Sequence, residues 1–254
     1  MAERKGIKGL SKRYLEVIQE RKPELDGRVR VKVSSNTKTG ASINLAIMGS
    51  CTPTKACERY CYGARGPIMF TNSLVSQAEN LSRFNYLETA SQSTVDREAD
   101  YIVQQLGRKQ WLRWNGVGDI VPGSARVVNA ISKRHKNIIQ WVVTRKPDML
   151  ELLEDAESLA VLFSLDSTTP ERVFSEAEKR KQRFSKALFQ YAWTQTEETD
   201  KAPPHVSVIF NVHIGRKGND WKEPRVCEAT LPSTDHANAC DSCRRCFEKK
   251  EVID

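Results

Sequence analysis

From residue 110 onward, short apolar runs alternate with amphipathic stretches, and this alternation constrains the fold more than any other feature. The runs are rich in β-branched and aromatic residues, as buried strands are. They are QWLRWNG (110–116), IIQWVVT (138–144), LAVLFSLD (159–166), ALFQYAW (187–193) and VSVIFNVHI (206–214). Helical patterns lie between them at 124–135, 146–158 and 169–182. Such alternation predicts a mostly parallel sheet.

The first hundred residues add further elements to this pattern. Helices are predicted at 10–22, 70–91 and 94–107, and RVRVKVSS (28–35) and ASINLAIMG (41–49) predict a pair of strands. Six or seven strands favour a reduced or irregular (β/α) barrel, and an open, mostly parallel sheet is the alternative. No internal repeat or clear linker divides the chain, so we expect residues 1–254 to form a single α/β domain.

The cysteines are confined to two segments, 51–61 and 227–246. No apolar run approaches the ~20 residues that cross a bilayer, and the first residues lack the apolar core of a signal peptide. These features predict a cytoplasmic protein. Because disulfides are uncommon in a reducing cytosol, clustered cysteines there are more often metal ligands. Both segments are therefore predicted to bind metal.

The late segment contains four cysteines, and the last three are spaced C-x2-C-x2-C. Three closely spaced thiolates and a fourth further away can hold an iron–sulfur cluster. They can also form a tetrahedral zinc site, for which His236 would be a spare ligand. An iron–sulfur cluster is the first prediction and zinc the alternative. The predicted ligands are Cys227, Cys240, Cys243 and Cys246.

The early segment contains Cys51, Cys57 and Cys61, spaced C-x5-C-x3-C. Three thiolates would leave a fourth coordination position open for water, substrate or another residue. The order departs from the C-x3-C-x2-C of radical S-adenosylmethionine enzymes. The alternative is that Cys51 and Cys57 are ordinary buried core residues.

The order of these motifs resembles a phage-encoded family, the gene product eighty-eight proteins. The motifs are NTKTG (36–40), CYGARG (61–66), a strand that leads into GVGD (116–119), and the terminal cysteines. More remotely, the layout is similar to the transglycosylases of the tRNA-guanine type and their phage DNA counterparts. That similarity implies a (β/α) barrel with a late cysteine-rich metal site, aspartates at strand ends and base exchange on a nucleic acid.

Polar residues follow several of the predicted strands. Asp119 lies in a turn with two glycines, and Asp166 ends LAVLFSLD. Asn211 and His213 alternate along VIFNVHI and so share one face of that strand. Because reactive residues collect at the carboxyl ends of parallel strands, we predict these four as catalytic candidates, with Asp119 first. Capping or core packing is the alternative for Asp166, Asn211 and His213.

Basic residues predict a nucleic-acid partner, DNA in the first instance. The formal net charge is +8, from 40 Lys and Arg against 32 Asp and Glu, and such an excess suits a polyanion. A merely solvated surface is the alternative. The predicted phosphate-binding residues are Arg65, Arg145, Lys146, Arg216 and Lys217.

Three classes of function fit these features. The first is a nucleobase glycosylase or base transglycosylase, in which a strand-end carboxylate stabilises the oxocarbenium-like sugar as its base departs from an extruded nucleotide. This activity would suit phage DNA modification or anti-phage defence. The second is an iron–sulfur redox or radical enzyme whose open three-cysteine group is the reactive centre. The third is a non-catalytic nucleic-acid-binding protein stabilised by metal.

Overall fold

A computed structural model describes residues 6–36, 40–196, 201–211, 225–227, 240 and 243–248. Its strands form one seven-stranded sheet in which the spatial order follows the chain order, β1 to β7. β1 and β2 are antiparallel, and every later pair of neighbours is parallel. The strands are β1 (Ser34–Asn36), β2 (Gly40–Ile43), β3 (Trp111–Trp114), β4 (Ile139–Thr144), β5 (Leu159–Leu165), β6 (Leu188–Gln195) and β7 (Val208–Asn211).

Helices precede the sheet and connect its parallel strands. They are α1 (Gly6–Arg21), α2 (Ile47–Ser50), α3 (Lys55–Tyr60), α4 (Thr71–Thr89), α5 (Gln92–Leu106), α6 (Pro122–Arg134) and α7 (Glu171–Lys181). Short 3-10 helices cover Tyr62–Ala64, Gly66–Met69 and Asp148–Glu151. Within the described ranges, none of the helices combines the length and the apolar character that a membrane span needs.

One face of the sheet packs against the long helices. Leu112, Trp114 and Phe163 are fully buried there with Phe84 of α4 and Ile131 of α6. Parallel strands that follow one another in chain order are joined by right-handed connections, and these place the connecting helices on the same side of the sheet. The main core of the protein therefore lies between this face and helices α4 to α7.

The other face of the sheet has a different cover. We call it the second face and define it by the strand residues Trp111, Arg113, Trp141, Ala160, Leu162, Ser164, Gln190, Ala192, Thr194 and Val208. Its apolar part packs against Cys240, Cys246 and Phe247. The ring of Phe247 stacks on that of Trp111, with their centroids 5.3 Å apart. The carboxyl-terminal cysteine segment thus covers part of the face that the helices leave free.

The predicted fold class is confirmed at the level of a mixed α/β fold with a mostly parallel sheet. Among the described residues β1 and β7 are the two edges and do not pair with each other. The seven described strands therefore form an open sheet, which was the alternative prediction to a barrel.

The segment 28–33 was predicted as a strand and is instead extended chain outside the sheet, since β1 begins only at Ser34. Its backbone N–H groups are bonded to helix side chains. The N–H of Val31 donates to Glu98 Oε1 at 2.8 Å, and the N–H of Lys32 donates to Asn80 Oδ1 at 2.8 Å. These side chains take the place of a partner strand. The alternation of apolar and basic residues in this segment therefore reflects its packing on helices α4 and α5, not a strand.

The helix predicted over 146–158 is also wrong, since only the 3-10 turn Asp148–Glu151 forms there. Side chains from elsewhere bind the backbone that a longer helix would use. The N–H of Glu154 donates to Asn129 Oδ1 at 3.0 Å, and Asn129 Nδ2 donates to the carbonyl of Leu152 at 2.8 Å. These tertiary hydrogen bonds outweigh a helical pattern that is weak over so short a length.

Gly123 allows helices α4 and α6 to approach closely. A Cβ on Gly123 would lie 1.8 Å from the carbonyl oxygen of Phe84, which is backbone and cannot move aside. We expect Gly123→Ala to lower the free energy of unfolding by about 2 to 3 kcal/mol, because over-packing strains the crossing. Urea unfolding measures this loss. Lys133→Ala, at an exposed position of the same helix, should change the stability by no more than about 0.5 kcal/mol.

Asp155 ties the turn before β5 to the turn before β6. Its burial raises its pKa, but the N–H groups of Ala187, Lys186 and Ser185 and the Ser185 hydroxyl lower it to about 2. Because the folded pKa lies below the ordinary 3.8, the carboxylate stabilises the fold above pH 3.8, and this contribution is lost as the pH falls through about 2.

We therefore expect Asp155→Asn to cost about 1 to 2 kcal/mol near neutral pH, allowing for screening by solvent. The difference between wild type and variant should shrink as the pH falls from about 5 to about 2. Urea unfolding of both proteins across this range measures it. A difference that stays constant with pH would show that the charge of Asp155 has no part in stability.

Candidate functional site

The carboxyl ends of β3, β4 and β5 lie side by side at one edge of the sheet, which we call the carboxyl edge. Trp114 pairs with Val142, and Thr144 pairs with Phe163. Beyond these strands follow the segments 115–119, 145–146 and 166–169. Parallel sheets place their ligand sites outside this edge, so side chains on these three segments are the first to consider.

Asp119 is 5% exposed, and its carboxylate is bound on several sides. It accepts hydrogen bonds from the N–H of Ile120 at 2.7 Å, from the Thr144 hydroxyl at 2.7 Å and from the N–H of Arg145 at 3.1 Å. Burial raises the pKa of Asp119, while the charge of Lys146 and these hydrogen bonds act in the opposite direction. The carboxylate thereby joins the loop after β3 to the end of β4.

Asp166 is 2% exposed and is equally well bound. Its Oδ2 forms an ion pair with Arg145 and accepts a hydrogen bond from the Thr54 hydroxyl. Its Oδ1 accepts from the N–H and from the hydroxyl of Thr168, each at 2.9 Å. Burial alone would raise the pKa of Asp166, but the charge of Arg145 and the hydrogen bonds from Thr54 and Thr168 hold it below its ordinary value.

Both aspartate segments hold the loop that carries the upstream cysteines. The N–H of Asp119 donates to Ser50 Oγ at 3.1 Å, next to Cys51 in the chain. Thr54 bonds to Asp166 and caps helix α3 by accepting from the N–H of Cys57 at 3.1 Å. The N–H of Ala56 donates to Thr168 Oγ1 at 3.0 Å. The loop 50–61 is therefore fastened across the carboxyl edge at two points.

The three upstream thiols lie together and are half-buried. The Cys57 thiol donates a hydrogen bond to the sulfur of Cys61, which raises the pKa of Cys57, and burial raises it further. The same bond lowers the pKa of Cys61, against the effect of burial, and the N–H groups of Gly63 and Ala64 lower it too. Burial raises the pKa of Cys51 to about 12. Cys61 is thus the sulfur of this group that most readily becomes a thiolate.

The four late cysteines also act on one another. Burial raises the pKa of Cys246 well above its ordinary value, and the charges of Cys227, Cys240 and Cys243 raise it further. The charge of Arg113 acts in the opposite direction. Across the described ranges, no three Cys, His, Asp or Glu side chains stand in the geometry of a formed metal site. The two groups of cysteines are gathered by the fold but are not closed around a single ion.

Two residues on and directly after β3, each with a buried polar atom that has no hydrogen-bond partner, were missed by sequence reasoning. Asn115 directly follows β3 with a φ of +56°, is 3% exposed, and its Oδ1 has no hydrogen-bond partner. Arg113 lies on the second face, and its buried Nε also has no hydrogen-bond partner. In the sequence, Asn115 stands directly after a strand and before a glycine, a context that favours the left-handed region of backbone conformation. Arg113 stands in an apolar run, where an arginine is unusual. Each residue could have been noticed, but only from this weak signal.

The other predicted residues lie at several places. Arg145 and Lys146 are at the carboxyl edge, where Lys146 Nζ donates to the carbonyl of Ile120 at 2.8 Å. Arg65 follows the cysteine loop and donates to the carbonyl of Tyr60 at 3.0 Å. Asn211 is the last residue of β7. The remaining three, His213, Arg216 and Lys217, lie outside the described residues.

Comparison with known proteins places the chain in a family. A model of the family described as gene product 88 matches residues 12–249. No curated protein and no solved structure matches the chain. The similarity to the tRNA-guanine transglycosylases therefore stays a prediction. The family match spans nearly the whole sequence and includes both groups of cysteines, so the chain belongs to the gene product 88 family.

Proposed function

We propose that this chain is an iron–sulfur enzyme whose reactive centre is held by Cys51, Cys57 and Cys61 at the carboxyl edge of the sheet. The observation that carries the proposal is the fastening of their loop to Asp119 and to Asp166. A protein that needed these cysteines only as core residues would have no need to hold their loop across the edge where ligands bind.

The upstream thiols fit such a group by their chemistry. Thiolates are the ligands of iron–sulfur clusters, and the bonds from Cys57, Gly63 and Ala64 favour the charged form of Cys61. When bound, a cluster supplies one-electron transfer or, together with S-adenosylmethionine, radical chemistry. Three protein ligands would leave one coordination position for a substrate or co-substrate. Zinc is the alternative metal.

The side chains around the thiols would position that substrate. The Arg145 guanidinium is held by Asp166 and by a bond from Nη2 to Thr194 Oγ1 of 2.9 Å, so the cation is fixed at the carboxyl edge. Asn115 offers an acceptor at the same edge.

A nucleic acid is the substrate or partner that we propose. The net charge of +8 favours a polyanion. Tyr62 and Phe70 follow the cysteine loop in the chain and are 42% and 64% exposed, as residues that stack on unpaired bases often are. Phage DNA modification or anti-phage defence would use such an activity.

Base release or base exchange is the second candidate function. The favourable observation is that Asp119 and Asp166 lie at neighbouring strand ends and share Arg145 as a partner. A carboxylate there could stabilise the positive charge on a sugar whose base departs. Each carboxylate already accepts several hydrogen bonds, and this favours a positioning role: Asp166 binds Thr54 of the cysteine loop, and Asp119 fixes the segment whose N–H binds Ser50.

Replacement of Cys61 tests the proposed centre. Anaerobic reconstitution of the wild type with iron and sulfide should give a brown protein, and Cys61→Ser should lose the iron and acid-labile sulfide of one cluster. With dithionite and S-adenosylmethionine, only the wild type should form methionine and 5′-deoxyadenosine if the chemistry is radical. Equal iron content in both proteins, or stoichiometric zinc in a colourless wild type, would contradict the proposal.

Replacement of Asp119 separates the two candidate functions. In Asp119→Asn, one acceptor oxygen becomes an NH2 group that faces other hydrogen-bond donors. The lost hydrogen bonds should cost about 1 to 3 kcal/mol in stability. If the Asp119 carboxylate fixes the segment whose N–H binds Ser50, the variant should bind less iron at the upstream site than the wild type. If Asp119 is the catalytic carboxylate, iron content should be unchanged and base release from a panel of DNA and RNA should be lost.

Asp155→Asn is the matched control, because Asp155 also accepts backbone N–H bonds but lies at the opposite edge of the sheet. It should leave both iron content and base release unchanged.

Salt dependence tests the nucleic-acid partner. Binding that rests on phosphate contacts should weaken steeply as the salt concentration rises. Fluorescence anisotropy with labelled DNA and RNA at several salt concentrations measures this slope. Failure to bind at low salt would remove nucleic acid as the partner.

A further inference from the structure

The four late cysteines are not used by the proposed reaction, although the fold brings them together on the second face. Cys240 and Cys246 are buried against Trp111, Trp141 and Leu162. Backbone bonds set the positions of the others. The N–H of Cys227 donates to the carbonyl of Ile209 in β7 at 2.8 Å, so this cysteine is fixed beside the sheet.

The last two cysteines, Cys243 and Cys246, lie in a tight turn. The N–H of Arg244 donates to the carbonyl of Cys240 at 3.0 Å, and Arg244 has a φ of +49°. The N–H of Phe247 donates to the carbonyl of Arg244 at 3.0 Å, and the Phe247 ring packs on Trp111 and Trp141. Aromatic packing thereby holds the turn that contains Cys243 and Cys246 against the strands.

A cation in the same region, Arg113, has no anionic partner among the residues that the structure describes. The Arg113 guanidinium lies 4.8 Å from the centroid of the Trp141 ring, and its Nε is buried with no hydrogen-bond acceptor. None of the ion pairs in the described part of the chain includes Arg113. Arg113 is partly buried, and burying part of a guanidinium is costly unless an acceptor or an opposite charge faces it. This arrangement therefore points to an anion that the carboxylates of the described residues do not supply.

Metal-bound thiolates would supply that anion. Each cysteine loses its proton when it binds a metal, and four thiolates outweigh the positive charge of Zn²⁺ and also that of a four-iron cluster. Arg113 and Cys246 share a neighbour, since the Arg113 guanidinium lies over the Trp141 ring and Cys246 packs in the same cluster as Trp141. The cation and the four sulfurs therefore complement each other in charge as well as in position.

We propose that Cys227, Cys240, Cys243 and Cys246 hold a negatively charged metal–thiolate centre whose counter-cation is Arg113. This centre is separate from the proposed reactive group. It links the end of β7 to the carboxyl-terminal turn and secures the cover of the second face, so that strands β3 to β7 are protected on both sides.

The test counts metal at the late site alone. A chain in which Cys51, Cys57 and Cys61 are all Ser should still take up one centre per chain, with zinc or after anaerobic reconstitution with iron and sulfide. A colourless protein with stoichiometric zinc identifies a zinc site, and a brown protein identifies an iron–sulfur cluster; either result supports the proposal. Adding Cys243→Ser to this chain should abolish the uptake. Uptake of no metal in the triple-Ser chain would overturn the proposal.

Variants of Arg113 test the counter-cation. Arg113→Gln should weaken metal affinity about tenfold or more, as loss of a supporting group around a metal site does, whereas Arg113→Lys should retain most of it. Competition with a chelator measures both affinities. Arg172→Gln, at an exposed position of α7, is the matched control and should change nothing. Equal affinity in Arg113→Gln and the wild type would show that Arg113 is not the counter-cation.

A second comparison covers the case in which the triple-Ser chain does not fold. In the otherwise native chain, Cys243→Ser should lower the metal content by one centre, and Cys61→Ser should independently lower it by the upstream one. Unchanged metal content in Cys243→Ser would then overturn the late site, and unchanged content in Cys61→Ser would overturn the reactive group.

Discussion

The parallel strands of this sheet follow one another in chain order, and right-handed connections place their helices on one face. The other face has no connecting helices to cover it. Helices α4 to α7 cover the face that carries Leu112 and Phe163. The face that carries Trp111 and Trp141 must then be closed by other means, since an exposed apolar face of this size would bind other surfaces. The described part of the carboxyl-terminal segment closes it with Cys240, Cys246 and Phe247. The metal that we propose at these cysteines would secure this cover.

The same topology explains the arrangement at the carboxyl edge. Strands that run in one direction deliver the segments after β3, β4 and β5 to a single edge, where Arg145 contacts both Asp119 and Asp166. The loop 50–61 follows the first parallel strand and crosses this edge, and bonds to Ser50 and Thr54 hold it there. The Asp166 carboxylate and the backbone N–H of Asp119 therefore hold the loop that carries the three thiols. This is why we assign the chemistry to the thiols and the positioning to the aspartates.

Much of the fold could be predicted from the sequence. The five runs from 110 onward are continuous and rich in β-branched residues, so each was recognised as a strand to within a few residues. The segments 28–33 and 146–158 were wrong because side chains from distant helices, such as Glu98 and Asn129, bind their backbone. Local periodicity carries no information about such partners.

The site was predictable only in part, for the same reason. The cysteine clusters and the positions of Asp119 and Asp166 after strands follow from local sequence. The bonds from Thr54 to Asp166 and from Ser50 to the loop of Asp119 join residues far apart in the chain, and only the folded structure brings them together. Without these partners, a strand-end aspartate has the same appearance whether it reacts with a substrate or anchors a loop.

An anaerobic crystal structure of the iron-reconstituted chain tests the central claim most directly. The account predicts a cluster bound by Cys51, Cys57 and Cys61 at the carboxyl edge, with Thr54 still bonded to Asp166 and one coordination position free of protein ligands. Thiols that point into separate apolar pockets, with no iron between them, would contradict it.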